Sequence, residues 1–131
     1  MSIDLHSEWP QIEPVARDYG LDPYLIAAIR VSEAGRAGRE YGVMLTAADD
    51  YNKQLEACCR IIRNYMLDYT RNPFTKLGKR IAYGDRFIGY IQRRYCPVGA
   101  DNDPSNLNSN WFKNVWSLYK KWTLSGGFGD E

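Results

Sequence analysis

Glu33 and Glu40 stand seven residues apart in "IRVSEAGRAGREYGVM", positions 29 to 44, and Glu33 closes an apolar helical run just before Gly35 and Gly38. A glutamate in the last turn of an apolar helix is badly placed for stability, because the carbonyl end of a helix carries negative partial charge. The same dipole and apolar surroundings disfavour the anion and raise the carboxyl pKa toward neutrality. A carboxyl that keeps its proton near neutral pH can hand it to a leaving group, so this placement suits general acid catalysis. Two glycines then let the chain fold closely against the carboxyl without side chains blocking access. The competing reading of the same spacing is an exposed helix-end glutamate paired with Arg30, Arg36 or Arg39.

Other chemistries find little material. His6 is the only histidine and no zinc spacing is present, so metal chemistry and Cys/His nucleophilic catalysis are disfavoured. The three cysteines, Cys58, Cys59 and Cys96, cannot all pair, and neighbours on a helix project about 100° apart, which favours free thiols. A net charge of +1 argues against a dedicated nucleic-acid binder. The segment from Arg71 to Arg94 nevertheless carries seven basic residues against Asp85 alone; it reads as a solvated basic face, with attraction to an anionic polymer as the alternative. Aromatic residues make up 14%, including ten tyrosines and four tryptophans, side chains that suit both cores and sugar-stacking surfaces. The opening "MSIDLHSEWP" lacks the basic start and apolar run of an export signal, and no segment is long and apolar enough to span a bilayer.

The elements that must position Glu33 follow from period and punctuation. With 131 residues, a single domain can bury roughly two thirds of its unfolded surface. Pro10 opens a short helical pattern through Ile12, Val15, Ala16 and Tyr19, ended by Gly20. Asp22 then caps a second helix with Pro23 at its first position; Leu25, Ile26, Ala28, Ile29 and Val31 cover more than one face, so this helix is expected to be buried. "REYGVM" fits a turn or one arm of a small hairpin. Thr46 and Asp49 resemble a capping box before the clearest amphipathic stripe, Tyr51, Leu55, Cys58, Ile62, Tyr65 and Tyr69, which runs to about Arg71. A short helix over 76–83 and another over 85–95 come next, followed by the polar loop "VGADNDPSNLNSN". The final helix carries Trp111, Val115, Leu118 and Trp122 on one stripe, where aromatics usually pack as core, and "SGGFGDE" is expected to fray from about residue 125. The expectation is one mostly helical domain over 1–131, with five or six helices and at most a small hairpin.

"YGLDPYLIAAIRVSEAG" followed by "REYGVM" resembles the catalytic segment of the lysozyme superfamily, especially soluble lytic transglycosylases and goose-type lysozymes. The positions that carry the resemblance are Asp22, Pro23, Leu25, Ala28, Ile29 and Glu33, then Gly42, Val43 and Met44. "RRYCPVGADNDPSNLNSNWFKNV" is similar to the segment before the last helix in bacterial and phage glucosaminidase-like domains. The chain departs from the pattern at Ala34, where the family has serine, at Leu45, where it has glutamine, and in the short interval between Glu33 and Gly42.

The resemblance implies a lysozyme-like fold and a peptidoglycan-cleaving glycosidase, muramidase or lytic transglycosylase, with Glu33 as general acid and base. It implies no metal or organic cofactor. Glycosidic cleavage usually adds a second group, for which Glu40, across the turn, is the first choice and Asp49, Asp101 and Asp103 are alternatives; lytic transglycosylases can dispense with it. Tyr41, Gly42, Met44 and Tyr95 are expected to line the cleft, and Asp101, Asn102 and Asp103 either to bind sugar hydroxyls and acetamido groups or to serve local turn chemistry. The implied partner is the glycan strand of peptidoglycan, bound by a monomer with no nucleic acid and no membrane span. A bacterial cytoplasmic product without a signal peptide, from a phage or prophage, would suit that setting. The rival readings are chitin or chitosan as substrate, a non-catalytic glycan-binding or phage structural module, and a helical domain that binds nucleic acid through 71–94.

Overall fold

In the computed structural model, residues 3–33, 40–43, 50–71, 85–95 and 109–127 are described, and nearly all of them lie in helices. The five helices among them are α1 (Leu5–Asp18), α2 (Pro23–Glu33), α3 (Tyr51–Arg71), α4 (Asp85–Tyr95) and α5 (Ser109–Ser125). No strand occurs among the described residues, and no helix there is long and apolar enough to cross a membrane. The protein is a mostly α single domain, as its periodicity predicts.

α2 is the central element. Leu25, Ile26, Ala27, Ala28 and Ile29 are all fully buried, which explains why this helix is apolar around more than one face. It starts where Asp22 predicts: the Asp22 carboxylate accepts from the Tyr24 amide (2.9 Å), and Pro23 takes the first position, where a missing N–H costs nothing. α2 packs most extensively on α5 and then on α1. It runs antiparallel to α5, since Tyr119 donates to Asp22 (2.8 Å) at one end while Trp111 reaches Glu33 at the other.

α1 begins earlier than expected. Asp4, not Pro10, sets its start: the Asp4 carboxylate accepts from the Ser7 amide (3.3 Å), and the helix continues through Pro10 and Pro14. An interior proline removes a helix hydrogen bond and strains the preceding turn. Burial of Leu5, Ile12 and Ala16 in the core is what holds the helix through both. Trp9 stacks on Tyr24 of α2 at 5.1 Å, fastening α1 beside the start of that helix.

α3 takes its cap from Asp50, whose carboxylate accepts from the Lys53 amide (2.8 Å); Thr46 and Asp49 lie outside the described residues, as does the short helix expected over 76–83. Its buried face holds Leu55, Cys58 and Ile62 of the expected stripe together with Gln54. α4 spans the expected 85–95. α5 buries Trp111, Val115 and Trp122, with Leu118 half-buried, and of the tail expected to fray from about residue 125, residues 128–131 lie outside the described residues. Gly126 adopts φ +78°, the Gly127 amide returns to the Trp122 carbonyl (3.0 Å), and Tyr24 donates to the Gly126 carbonyl (3.3 Å).

Candidate active site

Glu33 is the last residue of α2, where its half-buried carboxyl leaves the core. Its two oxygens meet different neighbours. Oε2 accepts a hydrogen bond from the indole Nε1 of Trp111 at 2.8 Å. Oε1 lies against the bare Cα of Gly42, so close that a Cβ placed there would sit 2.2 Å from Oε1 and 2.8 Å from Cδ. Gly42 also adopts φ +72°, a left-handed conformation that disfavours any side chain. Burial raises the Glu33 pKa above the usual carboxylate value, and the Trp111 bond, which favours the anion, opposes that rise.

Residues 40–43 are clamped in place by polar groups from three helices. Gln54 of α3, with no exposed surface, accepts from the amides of Tyr41 (3.3 Å) and Val43 (3.2 Å) and donates to the Val43 carbonyl (2.8 Å). Tyr95 of α4 donates its hydroxyl to the Tyr41 carbonyl, and Arg30 of α2 donates to the Glu40 carbonyl (3.4 Å). The Tyr95 ring also rests on Trp111, with centroids 5.8 Å apart. Tyr95 therefore braces both neighbours of the Glu33 carboxyl, the glycine segment through its hydroxyl and the indole through its ring.

Behind this clamp lies a buried ionic knot. Arg30 bonds Glu8 of α1 through two nitrogens, Nε to Oε1 at 2.8 Å and Nη2 to Oε2 at 3.1 Å. Tyr51 donates to the same Glu8 oxygen at 2.6 Å, so the 2.7 Å contact between the Tyr41 and Tyr51 hydroxyls has Tyr41 as donor. Burial pushes the Arg30 pKa down, but the Glu8 hydrogen bond and charge outweigh it and leave the guanidinium more basic than usual. Burial foremost, then the neighbouring Tyr51, raises Tyr41 far above the ordinary phenol.

The remaining groups around the acid stay neutral. The Cys58 thiol is pushed well up by burial first, with the charges of Cys59 and Glu33 adding to it. Tyr95 is raised by burial and then by Cys58 and Glu33. Cys58 and Cys59 are free and buried, and burial with the nearby Glu56 pushes Cys59 up to about 12. Neither thiol offers a thiolate nucleophile at neutral pH.

The chain matches no protein-family model, no curated protein and no solved structure.

The residues singled out in the sequence divide three ways. Glu33 and Gly42 come together. Glu40 is buried two residues before Gly42, with 8% of its surface exposed. Tyr41 is a correction: its side chain is fully buried and its hydroxyl points to Tyr51, so it shapes the site from behind. The Tyr41 ring packs edge-on against Tyr51 of α3, with centroids 5.6 Å apart. Tyr95 keeps a partly exposed edge, but its hydroxyl is turned inward. Met44, Asp49, Cys96, Asp101, Asn102 and Asp103 lie outside the described residues, as do Arg36 and Arg39. Arg30 directs its guanidinium to Glu8 and not to Glu33.

Gln54 and Glu8 escape a reading of the sequence, and Trp111 reads there as core more readily than as cleft. Gln54 falls on the α3 stripe, three residues after Tyr51 and four before Cys58, so a polar residue at an apolar position was the available signal. Glu8 carried no signal, because its partner is 22 residues away. Beside the site, a cavity of about 300 Å³ opens between α2 and α5, lined by Val31, Ser32, Asn114, Ser117 and Leu118. The Ser32 hydroxyl is buried there with no hydrogen-bond partner among the described residues.

Proposed function

We propose that this protein cleaves the glycan backbone of peptidoglycan between N-acetylmuramic acid and N-acetylglucosamine, with Glu33 as general acid and then general base. One observation carries the reading. A carboxyl at the end of a buried helix has its pKa raised by desolvation and is backed by a glycine whose missing side chain leaves room for it. Burying such a carboxyl costs the fold desolvation energy, whereas a proton donor for a glycosidic oxygen needs these properties. The lysozyme-like resemblance of the segments containing Glu33 and Gly42 supports the same assignment.

In this reading, Glu33 protonates the leaving oxygen as the glycosidic bond breaks, then takes a proton from the incoming nucleophile. That nucleophile is water in a hydrolase and the muramyl 6-hydroxyl in a lytic transglycosylase. Glu40 is the carboxylate assigned to the opposite face if one is used. Burial of the clamp keeps the acid, the indole and the glycine segment in fixed relation, which removes reorganisation from the chemical step.

The test is digestion of purified peptidoglycan by the wild type and Glu33→Gln, with mass spectrometry of the released muropeptides. Anhydromuropeptides from the wild type alone assign a transglycosylase, and reducing-end products assign a hydrolase. Release by neither protein, or equally by both, overturns the proposal.

A further inference from the structure

We infer that Trp111 is a positioning residue that decides which oxygen of Glu33 carries the reacting proton. The inference rests on the reading of Glu33 as an acid, and its own basis is the difference between the two carboxyl oxygens. Oε2 is held as an acceptor by the indole N–H at 2.8 Å. A protonated carboxyl has one hydroxyl oxygen and one carbonyl oxygen, and the carbonyl oxygen is the better acceptor. The Trp111 bond therefore fixes Oε2 as the carbonyl and leaves the proton on Oε1, beside Gly42.

Among the described residues, the groups that face the carboxyl from each packed element leave Trp111 as the selector. Tyr95 of α4 and Cys58 of α3 both sense the Glu33 charge, and burial keeps both of them protonated. Tyr95 directs its own proton to the Tyr41 carbonyl and so supports the indole by ring contact only. Gly42 presents a Cα and no side chain.

The proton on Oε1 bonds to the leaving glycosidic oxygen while the carbon–oxygen bond breaks and its electron pair stays on that oxygen. Glu33 becomes a carboxylate, and the indole N–H on Oε2 becomes a charge-assisted bond, stronger than before transfer. A nucleophilic oxygen then bonds to the sugar carbon and returns its proton to Oε1. Trp111 thus favours the state after transfer without touching the substrate.

The experiment is an NMR pH titration of wild type, Glu33→Gln and Trp111→Phe, reading the Trp111 indole N–H and the Glu33 side-chain carboxyl carbon. In the wild type, the indole proton should move with the same midpoint as the Glu33 carboxyl, and in Glu33→Gln that movement should vanish. Trp111→Phe, which keeps a ring against Tyr95, should raise the Glu33 midpoint by about one to two pH units, the size expected for losing a hydrogen bond to a charged group. The basic limb of the kcat profile should shift with it. An indole proton insensitive to Glu33 overturns the inference even if Trp111→Phe fails to fold, because that reading uses only the wild type and Glu33→Gln. An unchanged Glu33 midpoint in a folded Trp111→Phe overturns it as well. These titrations are read without substrate, so a protein that releases no muropeptide removes the glycan reading while the indole result is decided separately.

Discussion

Gly42→Ala, compared with Gly20→Ala, separates the two reasons for a glycine beside Glu33. Both glycines adopt φ +72°, but a Cβ at Gly20 would meet nothing within 4 Å, whereas at Gly42 it would lie 2.2 Å from Glu33 Oε1. A left-handed alanine costs about 1–2 kcal/mol at either position. At Gly42 the carboxyl must also move, because the alternative is to shift a segment held by three hydrogen bonds from Gln54 and one from Tyr95. Moving it breaks the 2.8 Å bond to Trp111, which adds about 1 kcal/mol. For a chain of 131 residues, each kcal/mol lowers Tm by about 3.6 °C, so Gly20→Ala should fall by about 4–7 °C and Gly42→Ala by about 7–11 °C. Differential scanning calorimetry at pH 7 measures both. A carboxyl displaced by about 1 Å should also lower the rate of muropeptide release on the order of 100-fold in Gly42→Ala, with Gly20→Ala unaffected. Equal losses of Tm in the two variants, with equal rates, would refute the close contact.

Glu33→Gln should be more stable than the wild type at neutral pH. The folded acid binds its proton more tightly than the unfolded chain does, so wild-type stability declines as pH rises from the ordinary carboxylate value through the raised folded value, and the variant's advantage should disappear in acid; urea unfolding from pH 3 to 8 measures it. Gln54→Leu leaves two amides and a carbonyl of the 41–43 segment unpaired in the core and should cost about 3–5 kcal/mol in the same assay. Ser32→Ala removes a buried hydroxyl that lacks a partner among the described residues, and should leave stability unchanged or raise it by up to about 1 kcal/mol. Tyr95→Phe loses the bond to the Tyr41 carbonyl, and should be about 1 kcal/mol less stable with a lower rate of muropeptide release.

What the sequence reveals is local. Asp22 and Pro23 mark the start of α2 through chemistry within three residues, and the apolar run to Glu33 follows from helical period. The placement of Glu33 in its last turn predicts a raised carboxyl pKa, which the buried position accounts for. α1 misleads because proline is a strong local mark and Asp4 a quieter one, yet the cap and the buried face together outweigh two interior prolines. The site's support is illegible for a different reason. Glu8 meets Arg30 across 22 positions and Trp111 meets Glu33 across 78, and no period or motif encodes pairs at such separations. Tyr41 shows the converse limit: a motif position sits beside the acid in sequence and points away from it in space.

The Glu8 contact gives the first helix a duty out of proportion to its place in the chain. Glu8 fixes Arg30, and Arg30 steadies the carbonyl of Glu40 just ahead of the glycine that backs the acid. Trimming the protein from its front would retain Glu33, Gly42 and Trp111. It would also strand a guanidinium that is only 8% exposed, with its counter-charge gone. A fragment that keeps this fold must therefore begin before Glu8, with Asp4 included to start the helix that carries it.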